Sequence, residues 1–575
     1  MNKTILQKNL KSFYLIGVFF VSNFALLQSQ SFEWARNLKL TSAYPTSSIG
    51  VDGMGNVYYS GGFNFTSDFD LGDDEFEMVS GGSGGETNIY VSKVDPFGNF
   101  LWAKQMGGGN FDLGIAMDVD LEGNVYTTGF YYYTADFDPS EEVYNISGDD
   151  GRNAFVSKLN TDGEFVWAKS LGGGYYGSGS CITTDESGNV YTTGQFSETG
   201  DFDPSGGEYL MTSYGDEDIF ISKLDGDGNF IWAKQIGGIG YDEISSIAVD
   251  DFENVYTTGS FQALCDFKPG SGTYYLQSED GNIFVSKLNS NGGFVWAKNF
   301  GGALYQFSKS IAVDNSGNVY TTGGFRGEAD FDPSTSTLNI VSYDDYVDIF
   351  ISKLDATGNF VWVKRMGGFG EDFSDWITLD QDGNIFTTGN FSETADFNPG
   401  SGIANLTCEG QRSLFISKLN SSGNYVWAHN TEGSGNIYGS SIQVDSEENI
   451  YVIGFFSGDV DFDFGSNIYN LTPSNTSLDL FILKLNSSPV GLFEHLQATE
   501  SLSIYPNPTG QEFTIKSKLG GEFVIYDQLG RKIKTFELTA SNDFSVTVND
   551  FSNGFYLIEG KNSNGLVKEK IIVAK

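Results

Sequence analysis

Histidine is nearly absent from this sequence, which contains only 2 among its 575 residues. Ser-His-Asp triads, Cys-His pairs and histidine metal sites all require it, so catalysis and metal binding of these kinds are nearly excluded. Basic residues are also scarce, at 32 against 75 acidic ones, for a net charge of −43. Because phosphate binding needs clustered Lys and Arg, nucleic acid is excluded as a default partner. We therefore expect a protein that is not an enzyme and does not bind nucleic acid.

Cysteine and proline are the next scarcities. Cys181, Cys265 and Cys408 are an odd number at unrelated positions, so no disulfide framework is implied. Only 11 Pro accompany 73 Gly, 49 Phe and 30 Tyr. This balance favours a turn-rich, all-β protein over a helical one.

A long hydrophobic run occurs once, at residues 13–27. Lys3, Lys8 and Lys11 precede it and small or polar residues follow at 28–31. The arrangement predicts a secretory signal peptide at residues 1–30. A membrane anchor is the alternative, although it needs about 20 apolar residues. No later run is apolar enough, so we expect no transmembrane segment in the mature chain.

Seven of the eight tryptophans share one sequence context, an aromatic residue two positions before the Trp. Their spacings are 68, 65, 65, 64, 66 and 65 residues, which is typical of a repeat architecture. The seven are Trp34, Trp102, Trp167, Trp232, Trp296, Trp362 and Trp427.

Each repeat contains four strand-like runs, which we call A, B, C and D. In the fifth repeat they cover residues 310–314, 318–325, 348–354 and 360–364. Runs A and B are joined by an Asp-x3-Asn turn in all seven repeats, and the C–D turns have similar chemistry. Short Asp/Gly turns join antiparallel strands, so each repeat is predicted to be a four-stranded propeller blade.

The count of strands predicts a closed ring. Runs A, B and C occur seven times, whereas D follows its own C only six times. An isolated D run at residues 32–36 matches the vacancy after the seventh C run at 480–485. We therefore predict an all-β, seven-bladed β-propeller at residues 31–486, with the N-terminal strand closing the last blade. An open solenoid is the alternative.

The repeat resembles the bacterial seven-bladed β-propeller (SBBP-type) repeat. The resemblance rests on Ser-Ile-Ala-Val-Asp-x3-Asn-Val-Tyr-Thr-Thr-Gly, Asp-Ile-Phe-Ile-Ser-Lys-Leu and Gly-Asn-Phe-Val-Trp-Ala-Lys, and covers about residues 32–487. It implies the fold, but no single activity belongs to that family.

A different pattern begins near the C-terminus. The repeat ends after residue 486, residues 487–498 form a predicted linker, and residues 499–575 contain short runs of alternating apolar residues. Nine acidic and nine basic residues balance in this last segment. We predict a small, Ig-like β-sandwich domain at 499–575.

Four motifs of this segment resemble the type A sorting domain of the type IX (Por) secretion system. They are Tyr505-Pro506-Asn507-Pro508, the hairpin at 524–531, Gly554-Phe-Tyr556-Leu and the last strand from Lys570. The resemblance implies Sec export, then transport across the outer membrane of a Bacteroidetes-type bacterium by the type IX machinery. It also implies removal of the domain and release or surface attachment. An accessory binding module of the same fold is the alternative.

The long B–C and D–A loops lie on one face of the predicted propeller, and loops on a rigid scaffold commonly carry function. Aromatic residues and carboxylates recur in the D–A loops, just before run A, where they would ring the channel mouth. Rings stack on sugars and carboxylates bind hydroxyls, so these residues predict a glycan site, with plain repeat packing as the alternative. The predicted ligand-binding residues are Phe111, Asp112, Tyr176, Tyr241, Asp242, Tyr305, Asp372 and Tyr438.

The B–C loops begin with Asp-Phe-x, often with a second Asp in third place. Such pairs of oxygen ligands are compatible with Ca²⁺, although Lys268 occupies one third position. The alternative is a buried Phe flanked by turn-capping residues. The residues predicted to bind calcium are Asp136, Asp138, Asp201, Asp203, Asp330 and Asp332.

The sequence thus predicts an exported, non-catalytic propeller that binds a glycan or a surface protein outside the cell. One alternative is a carboxylate-dependent, glycan-active enzyme, for which Glu243 and Glu371 are the unrepeated candidates. Another is a structural or adhesive surface protein stabilised by calcium.

Overall fold

The computed structural model describes residues 30–40, 43–72, 74–81, 85–302, 304–473, 478–486, 503–505, 512–516, 521–527, 532–538, 544–547, 551, 554–562 and 565–573. Secondary structure in these ranges is entirely β. Nothing in them forms a helix that is long and apolar enough to cross a membrane. The chain divides into two compact units, residues 28–488 and a unit that contains residues 489–575. Residues 1–29 of the predicted signal peptide and the whole predicted linker lie outside the described residues.

Seven repeat units, numbered 1 to 7 along the chain, occupy the larger part, each an antiparallel sheet with strand order A-B-C-D. The A strands are β2 (Ala43–Val51), β8 (Leu113–Val119), β12 (Tyr176–Thr184), β18 (Asp242–Val249), β22 (Gln306–Val313), β28 (Phe373–Leu379) and β35 (Ile437–Val444). The B strands are β3 (Val57–Phe63), β9 (Val125–Asp136), β13 (Val190–Ser197), β19 (Val255–Asp266), β23 (Val319–Arg326), β29 (Ile385–Phe391) and β36 (Ile450–Phe456). The C strands are β6 (Asn88–Val94), β10 (Asn145–Leu159), β16 (Asp218–Leu224), β20 (Tyr275–Leu288), β26 (Val347–Leu354), β32 (Ser413–Leu419) and β39 (Asp479–Asn486). The D strands are β7 (Phe100–Met106), β11 (Phe165–Leu171), β17 (Phe230–Gly238), β21 (Phe294–Gly302), β27 (Phe360–Phe369), β33 (Tyr425–Asn430) and, for unit 7, β1 (Ser31–Leu38).

Short strand pairs extend the B–C loops. In units 2 and 4 strands B and C themselves continue into the loop. In the other units separate strands form the pair: β4 (Thr66–Asp68) with β5 (Glu77–Val79), β14 (Thr199–Asp201) with β15 (Leu210–Thr212), β24 (Glu328–Asp330) with β25 (Asn339–Val341), β30 (Thr394–Asp396) with β31 (Asn405–Thr407), and β37 (Val460–Asp461) with β38 (Asn470–Leu471). Strand β34 (Glu432–Gly433) pairs with β37.

The Asp-x3-Asn turn between strands A and B is held by the Asp side chain. In unit 1 the Oδ1 atom of Asp52 accepts hydrogen bonds from the backbone N–H groups of Met54 and Asn56, both at 2.9 Å. Its Oδ2 atom accepts from the Asn56 amide at 2.7 Å and the Tyr58 hydroxyl at 3.0 Å. Gly55, at φ +79°, takes the left-handed position. The sequence motif therefore encodes a complete local hydrogen-bond network.

A β-bulge interrupts strand A in units 2 to 7, because one extra residue faces strand B. The bulge brings the backbone of strand A unusually close to strand B. In unit 6 a Cβ atom on Gly389 would lie only 2.0 Å from the Phe373 carbonyl oxygen, which explains the Gly of the Thr-Thr-Gly motif. Bulges commonly redirect a side chain beside a functional site. The bulge residues are Ile115, Ser180, Ser245, Lys309, Asp375 and Ser440.

Neighbouring units are joined by the repeated tryptophan. The indole N–H of Trp102 donates to the Thr161 carbonyl in the next unit at 3.2 Å, and Trp232 donates in the same way to Ser290 at 3.0 Å. Trp34, on strand β1, donates to the Pro96 carbonyl of unit 1 at 3.1 Å. The N-terminal strand therefore makes the bond that internal D strands make.

Strand β1 pairs antiparallel with β39 of unit 7, from Ser31 opposite Asn486 to Leu38 opposite Leu480. Each A strand contacts the A strand of the next unit, and β35 of unit 7 contacts β2 of unit 1. Within the described ranges no single hydrogen-bonded sheet closes on itself. Short backbone pairings nevertheless join neighbouring units, such as β17 of unit 3 with β19 of unit 4 and β27 of unit 5 with β30 of unit 6.

The C-terminal unit contains two antiparallel sheets. One has the order β40 (Ser503–Tyr505), β41 (Glu512–Lys516), β44 (Phe544–Thr547); the other is β43 (Lys532–Leu538), β42 (Gly521–Asp527), β45 (Gly554–Asn562), β46 (Gly565–Val573). Alternate residues of both sheets, such as Phe513 and Ile558, share one buried core.

The motif residues of this unit fall in different places. Tyr505 ends strand β40, whereas Pro506, Asn507 and Pro508 lie outside the described residues. Gly554 begins β45, and Lys570 in β46 pairs with Leu557. The buried Tyr556 ring lies 4.7 Å from Phe551, so this motif residue contributes to the core.

Candidate functional site at the central cavity

The three predicted ligand-binding carboxylates are buried. Asp112, Asp242 and Asp372 each have an exposed fraction of 0%. The Oδ2 atoms accept hydrogen bonds from the backbone N–H groups of Gly108, Gly238 and Gly368 at 2.6, 2.7 and 2.9 Å. These carboxylates hold the Gly-Gly turn that opens each D–A loop. The sequence predicts that these carboxylates ring the channel mouth. In the structure they are buried instead, because the Gly-Gly turn needs a hydrogen-bond acceptor beneath it.

Burial raises the pKa of all three carboxyl groups. The pKa is about 6 for Asp112, about 7 for Asp242 and about 8 for Asp372. Desolvation is the main cause, and neighbouring Asp218 and Asp348 add repulsion to Asp242 and Asp372. In unit 5 the neutral Gln306 fills the same position and accepts from Gly302 at 3.1 Å.

Three of the predicted aromatic residues, Phe111, Tyr176 and Tyr241, lie in contrast near Arg152, a side chain that the sequence prediction missed. The guanidinium carbon of Arg152 lies 3.5 Å from the Phe130 ring centroid and 4.6 Å from that of Tyr176. Arg152 also donates to the Tyr176 hydroxyl at 3.1 Å and to Ser178 Oγ at 2.7 Å. Phe111 stacks on Phe130 with centroids 5.6 Å apart. We call Phe130, Arg152, Tyr176, Glu217 and Tyr241 the Arg152 cluster.

The Arg152 cluster combines one cation with carboxylates and phenols. Burial raises the pKa of Glu217, against the attraction of Arg152 and with added repulsion from Glu243. Burial also raises the pKa of Tyr241 to about 12. The Nε atom of Arg152 and the Oε2 atom of Glu217 are buried without a hydrogen-bond partner among the described residues. The cluster therefore has unused hydrogen-bonding capacity next to aromatic faces.

A cavity of about 490 Å³ lies between the A strands of units 1, 2, 3, 5, 6 and 7. The bulge places five of its extra residues on the cavity wall: Ile115, Ser180, Lys309, Asp375 and Ser440. Tyr438, from the predicted set, also lines it.

Charged and aromatic residues of units 5 and 6 form another group, of which Lys309, Asp375 and Asn390 line this cavity. Phe307 and Phe373 stack with centroids 6.0 Å apart, and Tyr305 is 5.3 Å from Phe307. The Arg412 guanidinium lies 5.0 Å from Phe373 and donates to Asn390 Oδ1 at 2.6 Å. We call Phe307, Lys309, Phe373, Asp375, Asn390 and Arg412 the Arg412 cluster.

Arg152, Glu217 and Arg412 occupy one position of the repeat, six residues before the recurring Lys of strand C. Its seven occupants differ, although the residues that follow it in strand C recur from unit to unit; the occupants are Thr87, Arg152, Glu217, Gly281, Val347, Arg412 and Leu478. The bulge position varies in the same way. A repeat keeps what its fold needs, so a position that varies between units is free to serve a ligand. Aligning the units on their lysines would have revealed both positions.

The predicted calcium loops are capped by their own carboxylates. Asp136 Oδ1 accepts from the N–H groups of Asp138 at 3.1 Å and Tyr144 at 2.8 Å, and Asp138 accepts from Ser140 at 2.9 Å. Asp201 with Asp203, and Asp330 with Asp332, repeat these bonds. The intervening Phe137 is fully buried. Within the described ranges no group of three or more His, Cys, Asp or Glu is placed to hold a metal ion.

Comparison with known families gives two matches. Residues 231–260 and 295–323 match the β-propeller repeat SBBP, and residues 503–574 match the secretion system C-terminal sorting domain. Both resemblances drawn from the sequence are therefore confirmed.

Similarity to individual proteins is weaker. An uncharacterised WD repeat-containing protein of Acanthamoeba polyphaga mimivirus is 24% identical over 503 residues, which cover 75% of this chain and 35% of that protein. The chain thus spans about a third of the length of this curated relative.

Two solved structures match the chain at low sequence identity. A protein of unknown function from Bacteroides caccae has 11% identity and a TM-score of 0.24, covering 48% of this chain and 89% of its own. The extracellular domain of a one-component system from B. thetaiotaomicron has 10% identity and a TM-score of 0.20, covering 94% and 100%. Likeness at these TM-scores says nothing about function.

The chain therefore carries β-propeller repeats of the SBBP family and a secretion system C-terminal sorting domain, which indicates export by the type IX secretion system to the cell surface or the extracellular space.

Proposed function

We propose that this is an exported, non-catalytic, glycan-binding protein in which seven blades form a closed β-propeller. Closure is supported by the pairing of β1 with β39, by the Trp34 bond to Pro96 and by the contact between the first and last A strands. For the C-terminal unit we propose the Ig-like sandwich, supported by two sheets that share one core. Delivery follows from its match to the sorting domain.

One observation carries the binding proposal: two positions of the repeat, the bulge of strand A and the residue six positions before the recurring Lys of strand C, vary between units while the strands around them repeat. The variable positions bring guanidinium, carboxylate and aromatic groups together in the Arg152 cluster. Aromatic rings bind the apolar faces of sugars, and charged hydrogen-bonding groups bind their hydroxyls. The half-exposed Tyr241, with 40% of its surface accessible, offers such a ring.

Binding of the full chain to a glycan array tests the proposal. Tyr241→Ala is expected to weaken binding of the recognised glycan about tenfold, because one aromatic stacking surface is lost. Phe252→Ala is the matched control, since Phe252 is an aromatic of the same unit, 76% exposed in the A–B turn at the other end of the sheet. Loss of binding in both variants, or in neither, would contradict the proposed site.

A carboxylate-dependent, glycan-active enzyme is the second candidate, because Glu217 has a raised pKa beside Glu243. The same array distinguishes the two, since an enzyme would release shortened products from the bound glycan. We expect no products, and product release that Glu217→Gln abolishes would establish the enzyme instead.

Calcium stabilisation is the third candidate, and we expect it to fail. The first oxygen of each Asp-Phe-x pair is already occupied by backbone N–H groups. The melting temperature of the full chain should therefore be the same with and without a calcium chelator. A clear decrease on chelation, reversed by added Ca²⁺, would contradict this expectation.

A further inference from the structure

Positive charge that does not repeat is rare in residues 31–498. These residues contain 66 of the 75 acidic side chains and only 20 basic ones, of which thirteen occupy two slots that recur in the units. The basic residues outside the slots are Lys39, Arg152, Lys268, Lys309, Arg326, Arg365 and Arg412. Two of these, Lys309 and Arg412, belong to the Arg412 cluster, and Lys309 lines the central cavity.

Lys309 is the cation with the most freedom to meet a ligand there. It is the bulge residue of unit 5 and lines the cavity, in a position that holds Ser in units 3, 4 and 7. Its side chain is exposed, and its ammonium lies 5.6 Å from the Phe307 ring. It makes no hydrogen bond and no ion pair within 4.0 Å with any described residue. The ammonium group of Lys309 is therefore accessible for an ion pair with a ligand.

Arg412 supplies a second positive charge in the adjoining unit. One of its Nη atoms donates to Asn390, while the guanidinium plane covers Phe373. Asn390 in turn donates from Nδ2 to Asp375 Oδ2 at 3.4 Å. This chain of contacts fixes the guanidinium and the amide, so that the cluster is organised before a ligand arrives.

The Asp375 carboxylate attracts the Lys309 ammonium, but the two groups do not form an ion pair within 4.0 Å. Asp375 therefore does not neutralise the charge of Lys309 by direct contact. Its half-buried carboxyl is instead an acceptor for hydroxyl groups, beside the Asn390 amide. The stacked rings of Phe307 and Phe373 provide the apolar face. A cation and a hydroxyl acceptor thus line one cavity of about 490 Å³, and the cation lies beside the Phe307 ring of the stacked pair.

We propose that the central cavity takes an acidic sugar, whose single anionic group pairs with Lys309 beside Arg412 while its hydroxyls meet Asp375 and Asn390. The proposal rests on the glycan-binding function proposed above and specifies its ligand class. An anion approaching so acidic a protein is repelled at long range, so binding requires a local cation of this kind. A neutral sugar would offer Lys309 no anionic group with which to form an ion pair.

Matched polysaccharides test the ligand class on the full chain. One pair is polygalacturonate and its carboxyl-reduced, neutral form; the other is dextran sulfate and dextran. We expect at least one acidic polymer to bind about tenfold more tightly than its neutral match, as expected for one charge-assisted hydrogen bond. The two pairs distinguish a carboxylate from a sulfate as the anionic group.

Lys309→Ser assigns the effect to the cavity, because Ser occupies this bulge in three other units. It should lower affinity for the acidic polymer about tenfold and leave neutral binding unchanged. Lys39→Ser removes the same charge from an exposed residue outside the cavity and should leave both unchanged. Equal binding of acidic and neutral polymers, or equal loss in the two variants, would overturn the acidic-sugar proposal alone. Absence of binding to every polymer here and every glycan of the array would contradict glycan binding itself.

Discussion

Trp34→Ala is expected to lower the free energy of unfolding of the repeat domain by about 3–5 kcal/mol, which is typical for truncating a buried Trp. Trp34 lies on the N-terminal strand β1 and is only 4% exposed. Its indole N–H is bonded to unit 1 while its strand pairs with unit 7. The variant therefore removes packing and a hydrogen bond where the N-terminal strand contacts both unit 1 and unit 7.

Trp232→Ala is the matched control, because Trp232 makes the same contacts inside the array and is 6% exposed. Urea unfolding of both variants, followed by tryptophan fluorescence and circular dichroism, measures the two losses. Similar losses are expected if β1 closes the propeller. A Trp34→Ala variant as stable as the unmodified chain, beside a strongly destabilised Trp232→Ala, would contradict closure.

Stability of the unmodified protein is expected to rise as the pH falls from about 8 towards 5, and Asp372→Asn should remove part of that rise. The folded pKa of Asp372 is about 8, because the carboxyl is desolvated and faces Asp348. An unfolded Asp has a pKa of about 4, so the folded state binds the additional proton throughout this window. Since the folded state binds more protons, lowering the pH favours it.

The expected difference in slope is about 1.4 kcal/mol per pH unit, the contribution of one proton. Denaturant midpoints at several pH values between 5 and 8 measure it for each variant. The neutral Gln306 fills the equivalent position of unit 5, so the fold accepts an amide there.

Asp355→Asn is the control for a carboxyl with the opposite shift. Hydrogen bonds from the turn at Thr357 and Asn359 outweigh its slight burial and lower the pKa of Asp355 to about 2. Its stabilising effect is present above the unfolded pKa and is lost only in more acidic solution. The stability of Asp355→Asn should therefore vary with pH between 5 and 8 in parallel with that of the unmodified protein. A parallel Asp372→Asn profile would contradict the raised pKa of Asp372.

The carboxylates of the D–A loops illustrate how far a sequence pattern can guide a site prediction. Recurrence of Asp112, Asp242 and Asp372 beside aromatics was interpreted as a binding signal, yet all three lie under a Gly-Gly turn. A polar residue that recurs from unit to unit can be explained by a turn that recurs in the same units as well as by a ligand. Arg152 and Lys309 are better indicators of a binding site, because each stands at a position whose residue differs between units.

Local chemistry and periodicity allowed the sequence by itself to determine the repeat units, their strands, their turns and the sorting domain. An Asp-x3-Asn turn satisfies its own hydrogen bonds, and a fixed spacing of tryptophans needs no distant contact to be recognised. Which side chains meet at the cavity was decided only by the tertiary structure. Lys309 and Asp375 are separated by a whole repeat in the chain, and a bulge in each strand turns them into the same space. Such convergence depends on how the units pack, which spacing along the sequence does not specify.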